Sequence, residues 1–243
     1  MASILGQVSG DPLAALSVQD SSSKRRRWFE VCLVMLLAFS GAFISALSYF
    51  RTGSPARNQI ANSHWINATI HEIGILLLLG YILWRSARKF RDIGFQWSLR
   101  DAAIGLPVYA ISYVSYVVGA TLINVICHRI TGHYPAQIGG RQVFGHMPLI
   151  ALPFHLLNPF FEELVVRAYL MTEIRELTGS VAIAALVSLA LQTSYHIYYG
   201  WAGMLSVGFI FVVFTGFFMI WRRAFPLVVA HGISDVLAYF QLH

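Results

Sequence analysis

What this sequence has least of is charge. Asp, Glu, Lys and Arg make up 12% of its 243 residues, while 57% are hydrophobic. A soluble domain is about one-quarter charged, so these few charges would not solvate the surface of a protein this size. Lipid is the expected solvent for most of it. Cysteine is also scarce. Cys32 and Cys127 are the two in the chain, which excludes a disulfide framework and any Cys-based zinc site. The HExxH signature of zinc metalloproteases is missing as well: His71-Glu72 begins one, but position 75 is Ile. A cleavable signal peptide is not expected, because the first ~23 residues are polar and mixed, and the apolar run that follows is long enough to span.

Long uncharged runs are what the sequence does have. Residues 31–50, 102–127 and 202–221 contain no Asp, Glu, Lys or Arg. Each reaches the ~20 residues that a helix needs to cross a bilayer. From 178 to 221 there is no formal charge at all, room for two spans that turn at Tyr198-Tyr199-Gly200-Trp201. The runs are continuously apolar, not alternating, which predicts helices and not a barrel. The fold class is therefore all-α, a polytopic transmembrane bundle of about seven to eight spans.

The net charge of +6 does not point to nucleic acid. The basic residues sit at the ends of apolar runs. Lys24-Arg25-Arg26-Arg27 precedes the first span, Arg85, Arg88, Lys89 and Arg91 follow the second, and Arg222-Arg223 follows the sixth. Under the positive-inside rule these three clusters share the cytoplasmic side, and the weaker loop 51–57 lies opposite. The expected organisation is a flexible cytoplasmic tail over 1–27, N-terminal transmembrane helices over 28–146, and a C-terminal bundle over 147–243 that carries the chemistry. The basic, aromatic-studded segment 85–101 reads as interfacial.

Ionisable residues inside apolar spans are costly and default to function. The fourth span carries Glu162-Glu163-Leu164-Val165-Val166-Arg167. Glu163 and Arg167 are four apart and can pair on one helical face. Glu162 has no local cation and is free for other work. His155 and Asn158 precede it on roughly its face. His196 ends the fifth span. His231 and Asp235, also four apart, share a face of the last one.

An EExxxR motif, then a helix bearing His, then HxxxD, resembles the CPBP family of intramembrane proteases. That family includes the type II CAAX prenyl endopeptidases and bacterial relatives linked to bacteriocin processing or immunity. The resemblance covers about 147–242. It implies that Glu162 is the general base that activates water, helped by His196. Glu163 and Arg167 would complete the first motif and hold the helix. His231 and Asp235 would stabilise the oxyanion. No metal or other cofactor is implied. The substrate class implied is a membrane-associated peptide or protein, with or without a lipid modification, and the setting expected is a bacterial inner membrane with a cytoplasmic N-terminus.

Two positions depart from the family pattern. The second motif usually reads FxxxH, but position 192 is Gln; this position is read as packing. The third motif often ends in Asn, and here it is Asp235. Asn can donate to an oxyanion, whereas ionised Asp only accepts. Asp235 is thus either protonated in a dry site or orients His231, which then donates alone; the second is favoured. The readings that compete are a zinc enzyme using His155, Glu162, His196 and His231, a polar-lined transporter, an immunity or scaffold protein that cleaves nothing, and a structural membrane subunit. Geometry sets a further condition. His196 lies near the outer end of its span and His231 nearer the inner end of its own, so the two meet only if helices are tilted or interrupted.

Overall fold

A computed structural model describes residues 12–52, 61–136 and 138–243, with side chains from residue 23 in the first of these segments and up to residue 44. Nine α-helices are described: α1 (Pro12–Thr52), α2 (Asn62–Arg85), α3 (Leu99–Thr131), α4 (Gly140–Phe144), α5 (Leu152–Glu162), α6 (Thr172–Thr178), α7 (Val181–Tyr195), α8 (Gly200–Trp221) and α9 (Phe225–Leu242). No strand occurs among the described residues. The expected all-α class therefore holds, and the protein is a multi-pass integral membrane bundle.

Six helical stretches among the described residues are long and apolar enough to cross a bilayer. The fifth, Val181–Trp221, is a hairpin of α7 and α8, closed by a 3-10 turn at His196–Tyr199. The count of six is close to the seven to eight spans expected, the difference being this hairpin, which sequence length alone reads as two spans. Gly200 opens α8 at φ 77°, a left-handed backbone that a glycine adopts without a side-chain clash. The α6–α7 connection is equally local in origin. Gly179 caps α6 in the left-handed conformation, and the Ser180 hydroxyl accepts the Ile183 N–H at 3.2 Å to start α7, the Gly-then-Ser pairing that ends one helix and begins the next.

Helix α1 runs from Pro12 without a break through the basic cluster. The part of the expected tail from residue 12 onward is therefore helical, and residues 1–11 lie outside the described residues, as does most of the loop expected at 51–57. The three basic clusters gather at one end of the bundle, as the charge pattern predicts. Arg27 bonds Glu173 and Glu176 at 2.7 and 2.6 Å. Arg88 pairs with the same Glu173, Arg222 donates to Thr172 at 3.0 Å, and Arg223 pairs with the buried Asp101. Segment 85–101 does more than lie at an interface. Ile93 is fully buried, and Trp97 packs its ring 4.5 Å from that of Phe225.

Helix α3 crosses both α8 and α9. A Cβ at Gly105 would come within 2.6 Å of the Val229 Cβ. Close backbone approach through small residues is how membrane helices associate when lipid gives them no hydrophobic drive to do so.

Candidate active site

The span that carries the two adjacent glutamates is not one regular helix. It is α-helical to Glu162, π-helical over Glu163–Met171, and α-helical again as α6. The π stretch is almost entirely buried, and the Ser188 hydroxyl of α7 donates to the Val166 carbonyl inside it at 3.1 Å. π segments are rare and cluster at functional sites. Arg167 lies one turn on from Glu163 within this stretch. The expected pair is loose: Arg167 Nε stands 3.8 Å from Glu163 Oε2, with both side chains fully buried. None of the three guanidinium nitrogens meets a hydrogen-bond acceptor among the described residues. The guanidinium lies instead over the Phe211 ring, 5.4 Å from its centre.

Glu163 has a different partner. Its Oε1 accepts from His231 Nδ1 at 2.9 Å, which ties the π stretch to α9. The other ring nitrogen, Nε2, stands 3.6 Å from Asp235 Oδ1, beyond hydrogen-bond length. Asp235 is held separately, since Asn158 Nδ2 donates to its Oδ2 at 3.1 Å. The carboxylate that fixes the His231 ring is thus Glu163, with Asp235 beyond its far edge. With Nδ1–H given to Glu163, Nε2 carries a hydrogen only when the ring is an imidazolium, and in that form the Nε2–H is free to point at a third group.

Glu162 is anchored from α7. The Gln192 amide donates to its Oε2 at 2.6 Å, and the Tyr195 hydroxyl donates to the same oxygen at 2.7 Å. Gln192 is fully buried and Tyr195 nearly so. Both donors engage one oxygen, so the carboxylate cannot rotate freely, and no hydrogen bond to Oε1 occurs among the described residues. The reading of position 192 as packing alone is therefore corrected: its amide is one of two direct hydrogen-bond donors to Glu162. A buried carboxylate must find donors, and a phenylalanine at 192 would supply none.

His196 follows on the turn. Its Nδ1 lies 2.7 Å from the Gln192 carbonyl. A carbonyl only accepts, so Nδ1 carries the hydrogen, and the neutral ring keeps its lone pair on Nε2. The ring packs against Phe211 with centres 4.8 Å apart. Glu162 feels the charge states of both His196 and His231, so the three motifs converge. Two interruptions make this possible. The π stretch is one. The other is the shortness of α7, whose 15 residues rise about 22 Å at 1.5 Å per residue, less than the ~30 Å hydrocarbon core. His196 therefore sits on a turn sunk within the bundle.

His155 is not part of this cluster. Its ring packs between Trp65 and Tyr239, with centres 5.6 and 5.7 Å away. The four-residue zinc set considered from sequence would need His155 to turn toward Glu162, and no group of three His, Cys, Asp or Glu side chains arranged to hold a metal occurs among the described residues. Sequence alone passes over Tyr195 and takes Gln192 as packing, because neither side chain is charged at neutral pH. The signals were the departure from the family pattern at 192 and the nearness of both residues to His196.

Residues 144–237 match the family model described as type II CAAX prenyl endopeptidase Rce1-like. The match covers the α4-to-α9 region and is the family that the motif order resembles. No curated protein and no solved structure gives a significant match to the chain.

Proposed function

We propose that the protein is a metal-independent intramembrane endopeptidase in which Glu162 activates a water for attack on a peptide bond. The observation that carries this reading is the anchoring of Glu162. Two buried donors hold one oxygen and leave Oε1 to take a proton from water. His196 Nε2, the ring's acceptor nitrogen, orients that water through its second hydrogen. Attack forms the carbon–oxygen bond and places negative charge on the former carbonyl oxygen. His231, as an imidazolium held through Nδ1–H by Glu163 with Asp235 close by, donates its Nε2–H to that oxyanion. Donors fixed in advance where charge develops are the largest single contribution in many enzymes. Collapse then breaks the carbon–nitrogen bond, and the departing amine gains a proton.

In this reading Arg167 acts at a distance. It is fully buried and touches no substrate, but its charge offsets the carboxylates around it. The substrate is a membrane-associated peptide or protein, with or without a lipid modification. A bacterial inner membrane with the basic end in the cytoplasm fits the charge pattern.

The test is proteolysis of a library of membrane substrates by purified protein in detergent, wild type against Glu162→Gln, each with chelator present. Cleavage by wild type and none by the variant is expected. Cleavage by both would remove Glu162 as the base, and loss of wild-type activity in chelator would replace this mechanism with a metal-dependent one.

A further inference from the structure

A further buried carboxyl group faces the site from a helix outside the family match. Glu72 of α2 is 3% exposed, and its Oε2 has no hydrogen-bond partner among the described residues. Such a group in an apolar bundle is costly and needs an explanation. Packing fixes where it points. Helix α2 lies along α5, and their contacts run in parallel register. Trp65 packs on His155 with ring centres 5.6 Å apart. Glu72 and Glu162 each lie seven residues further along, two helical turns on the same faces. One residue earlier on each helix, His71 meets Phe161 with centres 6.3 Å apart. The electrostatic neighbours of Glu72 are Glu162, Asp235 and His231. His71 itself is occupied elsewhere, since its Nε2 lies 3.0 Å from the Leu37 carbonyl of α1.

Glu72, Glu162, Glu163 and Asp235 thus gather around His231, and Arg167 is the single permanent cation among them. Burying four carboxyl groups beside one permanent cation is costly unless each finds a partner. Glu162, Glu163 and Asp235 each accept a hydrogen bond from a named donor. Glu163 Oε2 also lacks a hydrogen bond but stands 3.8 Å from Arg167 Nε; Glu72 has neither a hydrogen-bond donor nor an ion-pair partner among the described residues, which makes it the natural carrier of a proton.

We infer that Glu72 is the general acid of the reaction, the group that hands a proton to the departing amine. This rests on the glutamate-protease reading above. In the step itself, Glu162 holds the proton taken from water. The tetrahedral intermediate expels the amine as the carbon–nitrogen bond breaks, and the Glu72 carboxyl gives its proton to that nitrogen. The proton on Glu162 then passes to the Glu72 carboxylate, and both groups are restored. Water is the only co-reactant.

A general acid matters in proportion to the basicity of the leaving group. An amine must be protonated to depart, whereas an activated aryl ester releases a phenolate that leaves unaided. The experiment compares a peptide substrate with the matching activated ester, using wild type, Glu72→Gln, Glu72→Asp and Glu162→Gln in detergent. Gln keeps the shape and cannot transfer a proton. Glu72→Gln is expected to lower kcat on the peptide by about 100-fold or more, within the range that a general acid contributes, and to change ester turnover by less than about threefold. Equal losses on both substrates would overturn the inference, because a packing or charge role does not discriminate by leaving group. Unchanged peptide turnover would overturn it too. Should Glu72→Gln fail to fold, Glu72→Asp is read by the same ratio: a selective loss on the peptide supports the acid role, and a parallel loss refutes it. Glu162→Gln separates the two readings. It should abolish both turnovers, and if it does not, the glutamate-base reading fails whatever Glu72 does.

Discussion

Removing the Gln192 amide tests how much of the base is built by its neighbours. Gln192→Leu keeps the approximate volume and deletes one of two donors to Glu162 Oε2. The bond is short, at 2.6 Å, and ends on a carboxylate. Hydrogen bonds to charged groups contribute about 1.5–3 kcal/mol. If the bond holds the carboxylate in its reactive orientation, that converts to a loss of about 10- to 150-fold in kcat, at 1.36 kcal/mol per factor of ten. Neither Gln192 nor Tyr195 is placed to reach substrate, so KM should stay within about threefold, the pattern of an interaction that acts on the chemical step alone. Tyr195→Phe removes the second donor to the same oxygen at 2.7 Å and should cost a similar factor. The double variant should fall below either. The assay is steady-state turnover of the best library substrate, with size exclusion in detergent to check the fold. A Gln192→Leu enzyme whose kcat stays within about twofold of wild type, or whose defect lies wholly in KM, would refute the anchoring argument.

Two further outcomes are expected. Glu163→Leu should destabilise the protein by about 3–5 kcal/mol, because it leaves Arg167 buried with no acidic partner and strips His231 of its acceptor; adding Arg167→Met should recover most of that loss in detergent unfolding, whereas additive losses would show that the 3.8 Å contact carries no coupling. Asp235→Asn should retain activity within about tenfold, since an amide oxygen can still accept the Asn158 bond, while Asp235→Ala should lose more than about 100-fold by leaving that part-buried donor unpaired and removing the group beside His231 Nε2; equal loss in the two would remove any orienting role for Asp235.

The candidate site was legible wherever a charge sat in an apolar run. Glu162, Glu163, Arg167, His231 and Asp235 stand out against neighbours that carry none, because burying an ionisable group in lipid is costly enough to signal a purpose. A turn between α7 and α8 was legible too, expected at 198–201 from a glycine amid aromatics and found at His196–Tyr199; that it lies sunk within the bundle was not. The Gln192 and Tyr195 anchors left no such mark. Uncharged polar residues are tolerated near helix ends for many reasons, and nothing local tells an anchor from a filler.

The sequence alone determined the solvent and the class. Scarce charge and runs of ~20 apolar residues leave lipid as the surroundings and helices as the only structure that satisfies every backbone group there. It also determined which end of the bundle is basic, since charge at the ends of spans sets orientation. Only the tertiary structure decided the pairings. Helical spacing joins Glu163 to Arg167, and the two do stand 3.8 Å apart, but the hydrogen bond of Glu163 goes to His231 on another helix. Which helix lies beside which decided the rest, and it brought Glu72, 90 residues earlier in the chain, to the face of Glu162. No periodicity records that contact, because it depends on how α2 packs against α5 and not on the pattern of either helix.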